Sequence, residues 1–337
     1  MKGNKGALSG CRTLDLTDEK GGFCIRLLAD MGAEVINSGR AGGQELDITL
    51  DLEVEQGRAK LKELLKAADV LVESYPPGYL EKLGLGYAYL SGLNPRLIVA
   101  SITNFGQNGP YRDYKSDEIV ASALGGQMYV SGEPGMPPLK PFGKQTHNTA
   151  SLFAVTGIML ALWHRHTTGR GQQIDISLQD CVAATLDHVL VRYLYEGEVA
   201  GRQGNRYWNG AFRLFPCRDG TILLSLNQQW ETLVEWLATE DMAEDLSEAR
   251  WRDAEERLQQ REHIVVVLER WTRCHTVAEL VEKGQLMHFP WAEVATVSGL
   301  VNNPQLKVRD FFMEMKDADT GKKYKYPRTP LKPGLAR

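Results

Sequence analysis

The chain has 337 residues, of which 43% are hydrophobic and 24% are charged, a composition typical of a globular protein with a sizeable core. Its 39 Lys and Arg residues against 43 Asp and Glu give a net charge of -4, so no basic excess favours nucleic-acid binding. No apolar run has the length of a membrane span, and the N-terminus lacks the long apolar segment of a secretory signal.

The first half of the chain alternates strand patterns with helix patterns. An amphipathic pattern of apolar residues predicts helices at 23–32 and 56–68, and the turn Pro76-Pro77-Gly78 opens a further helix. Strands are predicted at 12–17, 33–36, 47–52, 69–73 and 97–102. This alternation predicts an α/β domain with a mostly parallel sheet.

The second half begins with long apolar helices and then changes character. Helices are predicted at 117–130, 148–166 and 179–196, with a strand at 173–178. A glycine-rich stretch with the turn-and-strand pattern CRDGTILLSL follows, then amphipathic helices and, from Pro304, short strands. We therefore predict a large domain at 1–198, a small domain at 199–300 and a return to the large domain at 301–337.

Five stretches, spread over nearly the whole chain, resemble the class III CoA-transferase family, which includes formyl-CoA transferase, carnitine CoA-transferase and α-methylacyl-CoA racemase. They are LDLTDEKGGFCIRLLADMGAEVI, ADVLVESYPPGYLEKLGLGY, LNPRLIVASITNFGQNGPY, TGRGQQIDISLQD and NNPQLKVRDFF. The resemblance implies a Rossmann-like large domain built from both ends of the chain and a small α+β domain. It also implies a dimer of two interlocked rings.

The resemblance also implies a catalytic aspartate at the start of the long helix HNTASLFAVTGI. In the family this carboxylate attacks an acyl-CoA thioester, forms a mixed anhydride and then becomes an enzyme–CoA thioester. When the sequences are registered on Gly157-Ile158, His147 takes the place of that aspartate. An imidazole has no acyl group that could become a CoA thioester, so the chain is predicted to lack this chemistry.

The racemase branch of the family offers an alternative reading of the same position. There a His-Asp pair works with the aspartate as acid and base, and the matching positions here are Asp117 and Glu118. A reversed couple, with His147 and either carboxylate carrying the proton, would make the chain an acyl-CoA racemase or isomerase. The third reading is a scaffold or regulatory protein without a substrate.

The segments that bind CoA in the family also depart from its pattern here. The loop after the first strand carries Asp18 and Glu19 beside Lys20, which places two acids near an anionic ligand. In these segments Arg40 alone remains as an obvious partner for the phosphates of CoA. Lys20 and Tyr75 are further candidate CoA contacts. CoA and acyl-CoA are therefore expected as substrates, without a covalently bound cofactor, and the partner subunit is an alternative place for CoA to bind.

These departures predict the non-catalytic subunit of a heteromeric transferase, whose related partner chain keeps the aspartate. Benzylsuccinate CoA-transferase, built from two different but related subunits, gives this arrangement a precedent within the family. By that analogy succinyl-CoA would donate CoA to an aromatic or other dicarboxylic acid.

Metal and disulfide chemistry are not predicted. The five cysteines are widely spaced and form no C-x-x-C pair, which is typical of reduced thiols in the cytoplasm. His164 and His166 lie two residues apart on a predicted helix, a spacing that places them on different faces.

Overall fold

A computed structural model describes residues 6–38, 48, 50–207, 211–226, 229–317 and 320–331. By its internal contacts the chain divides into two compact units. The second unit comprises residues 133–135 and 203–312, and the first comprises the remainder on both sides.

The first unit is built on a sheet of five parallel strands in the order β2-β1-β3-β4-β5. The strands are β1 (Arg12–Leu16), β2 (Glu34–Asn37), β3 (Val70–Glu73), β4 (Ile98–Thr103) and β5 (Gln173–Ser177). Every residue of the central strands β3 and β4 is buried, as expected for a parallel sheet covered on both faces.

Helices connect these strands and cover the sheet. They are α1 (Gly22–Asp30), α2 (Glu55–Ala67), α3 (Tyr79–Lys82), α4 (Tyr87–Leu93), α5 (Glu118–Leu124), α6 (Gln127–Val130), α7 (Gln145–Thr168), α8 (Leu178–Ala184) and α9 (Asp187–Glu196). The buried face of α7 is made of small and aliphatic side chains, among them Ala150, Ala154 and Ile158, which lets the helix pack closely on the sheet.

The register of the parallel strands brings their carboxyl ends to one edge. Leu16 pairs with Glu73 and Glu73 pairs with Ser101, while Thr103 pairs with Ser177. The loops that follow β1, β3 and β4 therefore emerge side by side, which is where open α/β sheets bind ligands.

The second unit has an antiparallel sheet of β6 (Phe212–Pro216), β7 (Thr221–Ser225) and β8 (Ala292–Glu293). Its helices are α10 (Trp230–Thr239), α11 (Ala254–Gln259), α12 (Arg261–Arg273), α13 (Val277–Leu286), α14 (Val297–Asn302) and α15 (Pro304–Val308). Buried tryptophans, including Trp236, Trp251, Trp271 and Trp291, fill its core. Downstream, β9 (Phe312–Lys316) and β10 (Lys323–Pro327) pair with each other.

Four sequence predictions differ from the structure. Residues 304–308, where the predicted short strands begin, form the helix α15, and Pro304 at its first turn suits a helix start. The described part of the predicted strand 47–52, residues 48 and 50–52, forms no strand, and residues 47 and 49 lie outside the described residues. The predicted helix 117–130 is two helices, because Gly125 and Gly126 interrupt it and Gly126 has a φ of 83°. The predicted helix 179–196 likewise divides into α8 and α9 at Thr185 and Leu186.

Candidate functional site

A cleft of about 350 Å³ opens at the carboxyl edge of the parallel sheet, and we call it the cationic cleft. Segments that follow β1, β3 and β4 build it, as the strand register requires. Its lining residues are Asp18, Lys20, Ser74, Tyr75, Pro76, Pro77, Lys82, Thr103, Asn104, Arg112, Asp113 and Lys115.

Positive charge predominates in this cleft, since four of its lining side chains are basic and two are acidic. Lys20 forms an ion pair with Asp18. Burial acts to raise the pKa of the Asp18 carboxyl, but hydrogen bonds and charge from Lys20 outweigh burial and lower the pKa. Within the described part of the chain, Lys82 and Lys115 have no carboxylate partner.

Arg112 reaches the cleft over the turn that follows β3. A Cβ atom added to Gly78 would lie 2.6 Å from Nη2 of Arg112, and Gly78 has a φ of 79°, so a glycine suits this position in two ways. Nε of Arg112 is buried and has no hydrogen-bond partner among the residues described. A half-buried guanidinium with an unused donor is suited to bind an anionic oxygen.

Two of the three predicted CoA contacts lie in this cleft. Lys20 and Tyr75 line it, whereas Arg40 falls outside the described residues. Sequence reasoning missed Lys82, which ends α3, and Arg112 and Lys115, which lie in the loop after β4. For Arg112 a signal was available, because it directly follows the stretch FGQNGPY that supports the family resemblance.

His147 lies in the first turn of α7, which begins at Gln145, three residues before the predicted start at residue 148. Its side chain is buried, with 8% of the residue exposed, and Nδ1 has no hydrogen-bond partner within the described ranges. Burial lowers the pKa of His147, and Lys20 and Lys144 add to this effect while Glu118 and Asp18 oppose it. The imidazole is therefore neutral near pH 7.

Asp117 and Glu118 lie at the start of α5. Among the described residues, neither side chain forms a hydrogen bond with His147. The Asp117 side chain accepts a hydrogen bond from the Glu118 amide and so caps α5. The Glu118 carboxylate accepts a hydrogen bond from the Thr146 amide at 3.3 Å and lies 2.7 Å from Nζ of Lys140. Its position next to the α7 N-terminus and its pairing with Lys140 make Glu118 a stabilising contact between the two helices.

Lys140 fixes the segment that leads into α7. Its ammonium donates hydrogen bonds to the carbonyl oxygens of Pro141 at 3.0 Å and Gly143 at 2.5 Å, in addition to pairing with Glu118. With all three donors of Lys140 used, this segment holds Glu118 in place beside Thr146. Neither His147 nor Glu118 belongs to the lining of the cationic cleft.

A larger cavity, of about 940 Å³, lies between α1 and the paired strands β9 and β10. Two of its cations already have carboxylate partners, since Arg26 lies 3.8 Å from Asp30 and Lys144 lies 2.5 Å from Glu19. The cavity flanks α1 and the hairpin rather than the ends of β3 and β4, so we place the candidate site at the cationic cleft and the start of α7.

Across the described ranges, no three His, Cys, Asp or Glu side chains are grouped so that they could hold a metal ion. No helix of the described chain is both long and apolar enough to cross a membrane.

Comparisons with known proteins agree with this fold. The family model of CoA-transferase family III matches residues 44–335. Succinyl-CoA:(R)-benzylsuccinate CoA-transferase subunit BbsE of Thauera aromatica is 30% identical over 96% of this chain and 87% of that protein. The succinyl-CoA–L-malate CoA-transferase beta subunit of Chloroflexus aurantiacus is 30% identical, with 93% and 84% covered. The crystal structure of a CAIB/BAIF family protein from Brucella suis superposes with a TM-score of 0.86 at 26% identity, covering 99% of this chain and 94% of that one.

Proposed function

The chain belongs to CoA-transferase family III, and on this basis we propose that it is the non-catalytic subunit of a heteromeric enzyme that moves CoA between carboxylic acids. In this proposal a paralogous partner chain supplies the nucleophilic aspartate. The two subunits interlock as rings, the arrangement that the family resemblance implies.

The observation that carries the proposal is His147 at the start of α7. The transfer requires a side-chain carboxylate that attacks a thioester carbonyl, releases the CoA thiolate and is itself converted to a CoA thioester. A neutral imidazole can accept a proton or an acyl group, but it has no carboxyl carbon to which CoA could be attached. The double displacement therefore cannot pass through His147.

The buried carboxylate that contacts the first turn of α7 does not replace the aspartate in this proposal. Glu118 is buried, pairs with Lys140 at 2.7 Å and accepts a hydrogen bond from the Thr146 backbone amide. A nucleophile needs a free oxygen and an approach for the thioester, whereas this carboxylate is occupied by its neighbours. Both features support a structural role for Glu118.

Two observations support a partner subunit. The names of the relatives from Thauera aromatica and Chloroflexus aurantiacus both identify a subunit. In this chain, apolar side chains on α7 and α9 are exposed, among them Leu160, Trp163, Leu194 and Tyr195. Because soluble proteins rarely leave large apolar patches in water, a second chain is expected to cover them. By analogy with the Thauera aromatica relative, we propose succinyl-CoA and an aromatic or other dicarboxylic acid as the substrates.

A second candidate is an acyl-CoA racemase or isomerase that uses His147 with Glu118 or Asp117. The neutral state of His147 favours it, since a neutral imidazole is the form that accepts a proton. Against it, Asp117 caps α5 and Glu118 pairs with Lys140, so neither carboxylate is free to exchange protons with His147.

The test is CoA transfer by the purified chain, alone and with a co-expressed aspartate-bearing paralogue. We expect no transfer from the chain alone and transfer from the complex. Solvent deuterium entering an acyl-CoA substrate, and lost in His147→Gln, would instead favour the racemase. Transfer by the chain alone that persists in His147→Ala would refute the non-catalytic role.

A further inference from the structure

Three arginine side chains meet around one glutamate in the second unit. Arg206 and Arg213 lie opposite each other in an isolated antiparallel bridge, and their Nη1 atoms are 3.8 and 3.2 Å from carboxylate oxygens of Glu262. Arg261 is the first residue of α12 and interacts electrostatically with both other arginines. We call these three arginines the arginine cluster.

Positive charge in the arginine cluster exceeds the negative charge that balances it. Arginine stays protonated at neutral pH, so three positive charges meet the single negative charge of Glu262. Among the residues described, Arg261 has no carboxylate within ion-pair distance. The Glu262 side chain is 68% exposed, so water weakens its attraction for the guanidiniums. Like charges placed opposite each other across paired strands are destabilising, and a bound anion would offset their repulsion.

The guanidinium of Arg261 also has an unused donor. Nη2 of Arg261 is buried and has no hydrogen-bond partner in the part of the chain that the structure describes. Burial lowers the pKa of Arg261, and the charges of Arg206 and Arg213 add to this effect while Glu262 opposes it. A buried donor without an acceptor costs free energy, and a ligand oxygen bound to it would remove that cost.

The position of Arg261 at the start of α12 adds to the positive field. The N–H groups of the first helical turn carry partial positive charge, so an anion is favoured there and a cation is not. Helix α12 has 13 residues, and the side chain of Gln260 does not cap it. The helix end and the guanidiniums therefore favour the same kind of ligand.

We infer that the arginine cluster binds a phosphate group at the start of α12. A phosphate group carries about two negative charges at neutral pH, which matches the excess positive charge of the cluster, whereas a carboxylate carries one. Planar guanidiniums bind phosphate oxygens through paired N–H donors. The inference goes beyond the proposed function and does not rest on it, because every residue that it uses belongs to the second unit.

Binding of inorganic phosphate and of phenyl phosphate to the full-length chain tests this assignment. All measurements use an Arg112→Gln background, so that the cationic cleft does not supply a second strong anion site. In that background Arg261→Gln should weaken both probes about tenfold, because it removes charge-assisted hydrogen-bond donors. Either order of the two affinities supports the site, and the probe that binds more tightly shows whether a phosphate monoester or the free ion is preferred.

Glu262→Gln distinguishes a binding site from a cluster that only stabilises the fold. The substitution removes a carboxylate that competes for the guanidiniums and repels the ligand, so phosphate should bind about fivefold more tightly. A purely structural cluster would lose an ion pair and gain no affinity. This increase in affinity can be measured even if Arg261→Gln fails to fold.

Arg273→Gln is the matched control, because Arg273 lies near the other end of α12 and pairs with Glu269 at 2.6 Å. It removes the same charge from the same helix and should leave both affinities unchanged. Equal losses in the Arg261 and Arg273 variants would indicate an effect of net charge and overturn the assignment. A background chain that binds neither probe, or a Glu262→Gln chain with no increase in affinity, would also overturn it.

The partner subunit provides a further check. Loss of the co-purifying subunit in Arg261→Gln, together with unchanged phosphate affinity, would indicate that the cluster contacts the partner and would overturn the assignment. The readout is independent of transfer activity, so failure of the phosphate test would leave the non-catalytic role standing.

Discussion

The carboxylate of Glu118 lies 2.7 Å from the ammonium of Lys140 and contacts the first turn of α7, where the family resemblance implies a nucleophile. The same carboxylate accepts a hydrogen bond from the backbone amide of Thr146, the residue before His147. In this chain the start of α7 is therefore held by an ion pair and a hydrogen bond from α5.

Replacement of Lys140 by methionine should destabilise the chain. The variant keeps the apolar stem but leaves the buried Glu118 carboxylate without its cation, and we expect a loss of about 2 kcal/mol in the free energy of unfolding. Denaturant unfolding measures this difference. Lys82→Met is the control, because Lys82 has no carboxylate partner among the described residues and should change stability by less than about 0.5 kcal/mol. Equal stabilities of the two variants would contradict a stabilising role for the pair.

Acidification should destabilise the wild-type chain more than a His147→Gln variant. Burial lowers the pKa of His147 below its ordinary value of 6.5, so the unfolded state binds more protons than the folded state as pH falls below that value. The stabilising contribution of the neutral imidazole is complete above pH 6.5 and decreases as pH falls toward the folded-state pKa. Unfolding free energies measured from pH 7.5 to 5 should show this slope.

His164→Gln is the matched control for that pH dependence. His164 lies on the same helix and is exposed. It should retain the wild-type slope, whereas His147→Gln should flatten it. Parallel slopes for wild type and His147→Gln would show that His147 is not buried in its neutral form.

Alanine at Gly78 or at Gly84 distinguishes the effect of backbone strain from the effect of displacing the Arg112 side chain. Gly78 and Gly84 both have a positive φ, of 79° and 69°, so alanine at either position should cost about 1 kcal/mol of stability. Only at Gly78 would the new Cβ atom approach Nη2 of Arg112, to 2.6 Å, while nothing lies within 4 Å at Gly84. Pyrophosphate affinity should therefore fall in Gly78→Ala and stay unchanged in Gly84→Ala. Equal affinities would exclude Arg112 from the anion site.

Polar replacement on α7 should weaken subunit association. Trp163 is 72% exposed on the helix whose opposite face packs on the sheet. Trp163→Ser should reduce the amount of partner chain that co-purifies, because it removes a large apolar contact. Leu258→Ser, at a residue 64% exposed on α11 of the other unit, should leave co-purification unchanged. Equal recovery of the partner with both variants would exclude the α7 face from the interface.

Much of the first unit follows from local patterns in the sequence. The strands β3 and β4 are runs of mostly apolar buried residues, and α2 has an amphipathic pattern. The first and last residues of these three elements therefore differ from the predictions by no more than one position. The start of α7 could not be predicted in this way. Its first turn is stabilised by Glu118 from another helix, a contact between residues 28 positions apart.

The site was only partly predictable for the same reason. Lys20 and Tyr75 follow strands whose pairing could be anticipated, and both line the cleft. Lys82 and Arg112 come from a helix and a loop whose approach depends on the turn at Gly78. No spacing in the sequence relates these two side chains, so only the folded arrangement reveals the excess of positive charge.

CoA transfer by the assembled complex with His147→Ala tests the central claim most directly, because it asks whether this chain supplies the nucleophile. The account predicts that the variant complex keeps its rate within about twofold of wild type, while the chain alone is inactive. A loss of about a hundredfold or more in the complex, with assembly intact, would contradict it, since losses of that size mark groups that take part in the chemical step.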